Sequence, residues 1–224
     1  MNDAQFESGF RIRPCLPTDL DAAYDVCLKT GDSGADGTHL YQDDPPALGN
    51  LYVGPYIAFE PDLAFVLEDG AGVCGYVLAA LDSTRFYERL RAEWLPSLCA
   101  RHPDPEGDPA TWTPSQRLYH EYHHYQVYYP ASFRAYPSHL HIDLAPRAQG
   151  RGQGFRMMRH QLETLERRGS DGVHLCMSAV NHRAYRFYRK LDFDELARIG
   201  AAGDEVVYLG RRLDRRRGLS PDVS

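Results

Sequence analysis

The sequence predicts a single mixed α/β domain over residues 1–224, with a central mixed sheet and an inserted helical segment at about 83–135. Three observations carry this. Apolar β-type runs alternate with amphipathic stretches in the order β-α-(α)-β-β, insertion, β-α-β-α-β. Hydrophobic residues are 43% of 224, enough for one large core and incompatible with global disorder. No internal repeat and no clear linker divides the chain.

Residues 10–14 read as a first strand. Thr18 is the expected cap of a helix whose Leu20, Ala23, Tyr24, Cys27 and Leu28 share one face. Residues 30–46, rich in Gly, Asp and Pro, read as a loop, and 48–59 as a short helix. The runs 64–68 and 73–81 flank Asp69-Gly70-Ala71-Gly72 and predict a hairpin. Phe86, Leu90, Trp94 and Leu98 mark a helix over 85–98 whose end Pro96 weakens. Residues 102–114 carry four Pro and read as a loop; 114–127 reads as a helix crowded with Tyr and His. A strand at 139–144 runs into a Gly-rich turn. Phe155, Met158, Leu162 and Leu165 then mark a helix ending near Gly169. Residues 173–180, apolar on both faces, read as a central strand. A helix at 181–191, a strand at 206–209 and a polar tail at 215–224 complete the chain.

The net charge of −6 argues against nucleic-acid binding. No apolar run approaches the ~18 residues of a membrane span, and residues 1–9 lack the pattern of a secretory signal. Five cysteines without C-x-x-C spacing suggest neither a disulfide framework nor a zinc ribbon, and point to the cytoplasm. The basic residues are 23 Arg and 2 Lys, with the Arg crowded into the second half. Guanidinium is the better fork for phosphate, which raises the question of a phosphate ligand.

The turn Gln149-Gly150-Arg151-Gly152-Gln153-Gly154 offers one. Glycines at alternate positions let the backbone turn tightly and approach a ligand. The helix that follows begins with unpaired N–H groups and a positive dipole end, so turn and helix together make a pyrophosphate cradle. A dinucleotide fingerprint would need Gly where Phe155 stands, and a P-loop would need Gly-Lys-Ser/Thr, which is absent. A merely flexible turn is the bland alternative.

What flanks the turn narrows the choice. The strand His141-Ile142-Asp143-Leu144-Ala145-Pro146 runs into it, and Asn181-His182-Arg183-Ala184-Tyr185-Arg186-Phe187-Tyr188-Arg189-Lys190-Leu191-Asp192-Phe193 follows. This pair resembles the GNAT family of acyl-CoA-dependent N-acetyltransferases. Gln149, Gly152 and Gly154 match its Q/R-x-x-G-x-G/A motif. Asn181, Ala184, Phe187, Tyr188, Lys190, Leu191 and Phe193 match its N-x-x-A-x-x-F-Y-x-K-L-G-F segment, with Asp192 in place of the usual Gly. The resemblance covers 139–195 strongly and 11–81 more weakly, and omits the insertion.

The resemblance implies a sheet splayed between the strands at 139–144 and 173–180, with acetyl-CoA as co-substrate. Its pantetheine arm would pair with backbone around Ile142 to Leu144. Its pyrophosphate would lie on amides of Arg151, Gly152, Gln153, Gly154 and Phe155. Asn181 would reach the pantetheine, and the Tyr188 hydroxyl the thioester sulfur. The implied reaction is acetyl transfer to a primary amine, of a small molecule or a protein, by direct attack in a ternary complex. A non-catalytic acetyl-CoA-binding module is the alternative, and a homodimer is compatible with either.

Such a transfer needs a neutral amine, a stabilised oxyanion and a protonated leaving thiol. A backbone N–H near Leu144 suits the oxyanion and Tyr188 the thiol, although Tyr188 also fits a plain core aromatic. Asp143 and His141 share one strand face, and either suits the general base. The loop carboxylates Asp32, Asp36, Asp43 and Asp44 would favour a cationic amine if they walled the acceptor site; as turn residues they need no such role. That loop, Gly-Pro-Tyr at 54–56 and the insertion also resemble, loosely, the acetyltransferase-like domain at the C-terminus of O-GlcNAcase.

One competing motif stands apart. His120-Glu121-Tyr122-His123-His124 contains H-E-x-x-H, the zincin pattern of a zinc hydrolase. The extended metzincin pattern fails at Val127 and Pro130, and no further Glu follows until Glu163. The stretch therefore reads as a packed face or acceptor wall, with Glu121 and His124 as acceptor-side groups and no metal ligand assigned.

Overall fold

The computed structural model describes residues 9–201 and 205–213, so the tail expected at 215–224 lies outside the described residues. The chain opens with strand β1 (Arg11–Pro14) and, after a 3-10 turn, helix α1 (Leu20–Leu28). Thr18 is not the cap. Asp19 stands there instead, without a side-chain bond to α1: its carboxylate accepts the Leu16 N–H at 2.8 Å, closing the preceding 3-10 turn, and both terminal guanidinium nitrogens of Arg13 at 2.5 and 2.8 Å. Arg13 also bonds Glu68 on the neighbouring strand, so one guanidinium ties β1, the turn and the sheet together.

The helix expected over 48–59 is two: α2 (Ala47–Tyr52) and α3 (Gly54–Phe59), broken at Val53 because Pro55 begins a new first turn. The hairpin forms as expected, from β2 (Ala64–Asp69) and β3 (Gly72–Ala80), with Gly72 at φ +106° in its turn.

The insertion begins with α4 (Ser83–Arg89), a π-turn at Leu90–Trp94, and α5 (Leu95–Arg101). Pro96 does not end the helix. It sits in the first turn of α5, and the Leu95 N–H reaches back to the Leu90 carbonyl, the widened turn accommodating a residue that cannot donate. Helix α6 (Pro114–His123) starts at a Thr113–Gln116 capping box. It stops four residues short of Val127, as His124 leaves helical backbone at φ −118°, ψ 28°.

Strand β4 (Ser138–Leu144), helix α7 (Gln153–Arg167), strand β5 (Gly172–Ser178) and helix α8 (His182–Arg189) follow. The sequence did not announce β6 (Asp194–Ile199), which pairs with β7 (Val206–Arg212). It is an edge strand reading DELARI. Its charges, which hide the β pattern, are what keeps an exposed edge from pairing with another chain.

The seven strands form one sheet in the order β1-β2-β3-β4-β5-β7-β6. Every neighbour pair is antiparallel except β4 and β5. Side chains alternate between two cores. In β3, Val77 and Ala79 join Leu140, Met157, Met158 and Leu165 on the α7 face. Tyr76, Leu78 and Ala80 join Ala23, Leu51, Phe86, Leu98 and Tyr122 on the face covered by α1 to α6. The insertion thus completes the second core. Phe155, expected on the buried face of α7, is 42% exposed.

The Arg13–Asp19 pair is largely buried, with side-chain exposures of 18% and 10%, and the guanidinium holds the Asp19 carboxyl below its ordinary range. A depressed carboxylate stabilises the fold above its unfolded pKa, and that contribution is lost as pH falls through the folded value. Asp19→Asn should lower stability at pH 7 by about 2 kcal/mol. The gap from wild type should close in acid, which urea denaturation from pH 7 downward would show.

Candidate functional site

The parallel strands β4 and β5 pair at only two positions, Ser138 with Val173 and His139 with His174. Beyond them the strands diverge. β4 stays with β3 out to Leu144 opposite Gly75, while β5 stays with β7 out to Ser178 opposite Val206. The sheet is therefore split towards the C-terminal ends of both strands.

A cavity of about 720 Å³ opens at the split. It is lined by Ile142, Asp143 and Leu144 of β4, by Gln149, Gly150, Gly152, Gly154 and Phe155 of the turn, and by α8 from Asn181 to Tyr188. Gly150 and Gly152 stand at φ +72° and +73°, in the left-handed region, and a Cβ on either would meet nothing within 4 Å. The turn is thus shaped by glycine around open space. The first amides of α7 have no partner within their own helix, as at any helix N-terminus. The residues present fit a pyrophosphate.

Around this cradle the side chains mostly hold the protein itself. Gln149 donates to the Leu144 carbonyl at 2.7 Å and accepts from Arg183 at 2.6 Å, so it braces strand against helix. Asn181 caps α8 by accepting the Ala184 N–H at 3.0 Å, while its amide nitrogen lies against Gly34, where a Cβ would come within 2.9 Å. Phe155 crosses Phe187 edge-to-face, centroids 5.1 Å apart, which explains its exposure: it walls the cavity. The Arg excess is only partly a cavity feature. Arg183 and Arg186 line it with Lys190, and Arg151 lies on the exposed turn. Arg147 instead bonds Asp69 and Val73 in the hairpin, Arg189 bonds Phe193 and Asp194, and Arg156 and Arg159 line a separate cleft of about 210 Å³ beside Arg11.

Tyr188 and Asp143 line the cavity together. The Tyr188 ring packs in the α7 core against Phe187 and Phe193, and burial pushes its phenol pKa up, so the hydroxyl keeps its proton. His141 and Asp143 share the opposite face, as their spacing predicts, with His141 Nε2 3.1 Å from Asp143 Oδ2. The same carboxylate oxygen accepts the Tyr76 hydroxyl at 2.5 Å, and the Tyr76 and His141 rings stack at 5.6 Å. Sequence reasoning missed Tyr76, which is fully buried in β3. Its only signal is one aromatic in an apolar strand; its relevance comes from the register that sets it opposite Asp143.

The loop carboxylates fall into two pairs with different surroundings. Asp32 is exposed, and Asp36 accepts the Thr38 N–H of its own turn at 2.9 Å. Asp43 accepts from Ser115 and Thr113, and Asp44 from Tyr119, so these two pin α6 to the loop. The loop itself, through Thr30, Ser33, Gly34 and Ala35, roofs the cavity. Glu121 is half-buried on the inward side of α6, with both oxygens 3.1 Å from the Tyr52 hydroxyl, and desolvation raises its pKa. His124 lies on the outside of α6, paired with Asp104 at 2.6 Å. The H-E-x-x-H residues therefore point in two directions, and Glu121 cannot serve as base to anything held by the two histidines.

A mixed sheet split between parallel strands, with a glycine turn and helix N-terminus at the opening, matches the architecture of acyl-CoA-dependent acetyltransferases. Residues 36–193 match the acetyltransferase (GNAT) family, to which the chain belongs. It is 31% identical over 206 residues to protein O-GlcNAcase of Rattus norvegicus, covering 91% of this chain and 22% of that protein, so the chain spans about a fifth of this relative. Among solved structures it resembles SsHAT, with 40% identity and a TM-score of 0.79 over 92% of this chain and 99% of that one. It also shares a fold with yncA of Salmonella typhimurium in its acetyl-CoA complex, at 13% identity and a TM-score of 0.53 over 96% and 100% of the two chains.

The departure at Asp192 has a physical account. Helix α8 ends in a Schellman motif: Phe193 N–H bonds the Tyr188 carbonyl, Asp192 N–H that of Arg189, and Asp192 stands at φ +59°. Phe193 packs back on Tyr188, centroids 5.8 Å apart, so this turn helps seat the cavity tyrosine. Glycine suits the left-handed position better. Asp192→Gly should stabilise the chain by about 0.5–1 kcal/mol, read as a raised urea midpoint at unchanged m-value.

Proposed function

We propose that the chain is an N-acetyltransferase that moves the acetyl group of acetyl-CoA to a primary amine by direct attack in a ternary complex. The observation that carries this is one cavity at the β4–β5 split that brings together a glycine cradle, a protonated tyrosine and a carboxylate. The amides of Arg151 to Phe155 would hold the pyrophosphate, with Arg183, Arg186 and Lys190 around them for further phosphate charge. The β4 edge released beyond His139 would pair with the pantetheine amides. Acetyl-CoA supplies an activated acyl group with a thiolate leaving group.

The chain's own residues then divide the proton traffic. Asp143, with His141 beside it, takes the proton of the attacking amine, directly or through water. Tyr76 donates to Asp143 and fixes the carboxylate's orientation. A β4 amide near Leu144 donates to the developing oxyanion. Tyr188 gives its proton to the departing sulfur as the new amide bond forms. The acceptor is an amine of a small molecule or a protein. Among the described residues no helix is long and apolar enough to cross a membrane. The five cysteines, free and without C-x-x-C spacing, support the cytoplasm as the compartment.

Gly152→Val tests the cradle. The position is open in this structure but left-handed, so a branched side chain would stand in the space reserved for the pyrophosphate. Acetyl-CoA binding by calorimetry should weaken by about tenfold or more; an unchanged Kd would remove the assignment. Tyr188→Phe tests the acid. Cofactor affinity should stay near normal while turnover drops about a hundredfold; unaltered kcat would rule it out. A wild-type protein that binds acetyl-CoA yet turns over no member of a broad amine panel would instead be a binding module.

A further inference from the structure

The histidines of H-E-x-x-H do not line the cavity at the split, yet the fold gives them a third partner. His120 in the last turn of α6 and His124, the residue that caps its C-terminus by donating its N–H to the His120 carbonyl, lie side by side with ring centroids 4.1 Å apart. The loop between α5 and α6 brings Asp104 between them. His120 Nδ1 lies 2.8 Å from one carboxylate oxygen and His124 Nε2 2.6 Å from the other. One donor atom from each residue can be chosen so that all lie within 4.8 Å of one another. We propose that Asp104, His120 and His124 bind a divalent transition-metal ion, zinc foremost, as a clasp joining the α5–α6 loop to α6.

The donor chemistry carries the choice of ion. Two imidazole nitrogens and one carboxylate oxygen are borderline ligands that suit zinc, whereas calcium and magnesium seek an all-oxygen set. Donors at about 2.0–2.2 Å from a tetrahedral zinc lie about 3.3 Å apart, so the ion enters by opening the histidine–carboxylate contacts of 2.8 and 2.6 Å by about 0.5–0.7 Å. The three side chains are between 37% and 53% exposed, so the ion can reach them from solvent and keep a water as fourth ligand. The surroundings hold the geometry. Trp112 packs on His120 at 5.0 Å, and His123 is tied by its ring to the His102 carbonyl, outside the donor set.

The clasp is structural rather than hydrolytic, since Glu121 is turned inward to Tyr52 and offers no base to a metal-bound water. It gives the H-E-x-x-H spacing a use with Asp104 as the third ligand, contributed 16 residues before His120.

The test uses the full untagged chain, stripped with chelator and titrated with zinc chloride by calorimetry. The expected result is one equivalent bound, with a melting temperature that rises on zinc addition because the folded state binds the ion. Asp104→Asn and His124→Gln, made singly and together, should each weaken binding by about tenfold or more and abolish the thermal shift. Cobalt(II) should give visible absorption of tetrahedral intensity in wild type and not in the double variant. The exposed positions make folding of the variants checkable by their zinc-free melts. No saturable binding, binding unchanged in the double variant, or a melting temperature lowered by zinc would each overturn the proposal.

Discussion

The rest of the structure depends on the early end of one parallel ladder. β4 and β5 exchange backbone hydrogen bonds only around His139 and His174, and each strand then follows its other neighbour. Two inner strand edges are thereby left without a strand partner in the middle of a sheet. Backbone polar groups in such a place need hydrogen bonds from somewhere, and an extended ligand rich in amides is a natural source. The pivot is reinforced by packing. His139 is buried, stacked on Tyr87 at 4.7 Å, and burial lowers its pKa, so the paired end of the split is an uncharged aromatic cluster.

Everything that lines the opening is referred back to that split. Gln149 links the Leu144 carbonyl to Arg183, so the turn is braced to both sides of the opening. Gly34 lies directly on Asn181, which fixes the roof loop to the N-terminus of α8. Phe193 N–H closes the other end of α8 on the Tyr188 carbonyl. The groups proposed to carry the chemistry fall on opposite sides of the sheet: Tyr188 belongs to the α7 core, and Tyr76, bonded to Asp143 and stacked on His141, to the other. Only a gap between strands lets groups from both sides line one cavity. The insertion contributes indirectly, by completing the second core and by setting Glu121 against the Tyr52 hydroxyl.

Elements governed by near neighbours were legible from residues alone. The hairpin at Asp69 to Gly72, α7 with its Gly169 terminus and the Gly-rich turn all depend on contacts within a few residues, where periodicity and turn chemistry act directly. Errors arose where a distant partner overrode the local pattern. Thr18 does not cap α1, which starts directly from a 3-10 turn that Asp19 closes on Leu16 and Arg13. Phe155 keeps its helical register with Met158 and Leu162 but lies over the cavity, against Phe187, rather than over the core. Strand β6 carries too many charges to read as a strand, and only pairing with β7 makes it one.

By itself, then, the sequence determined the motif chemistry: the glycines that permit a left-handed turn, the helix that follows them, and the segment from Asn181 to Phe193 whose two caps are both written in order along the chain. The tertiary structure decided which side chains meet. Tyr76 reaches Asp143 across 67 residues, Tyr52 reaches Glu121 across 69, and Tyr119 reaches Asp44 across 75. Strand register and loop packing set those meetings, and neither leaves a trace in local spacing. The same division explains the acidic loop: composition made Asp43 and Asp44 look like ligands for a cation, and only the packed chain shows them holding α6 in place.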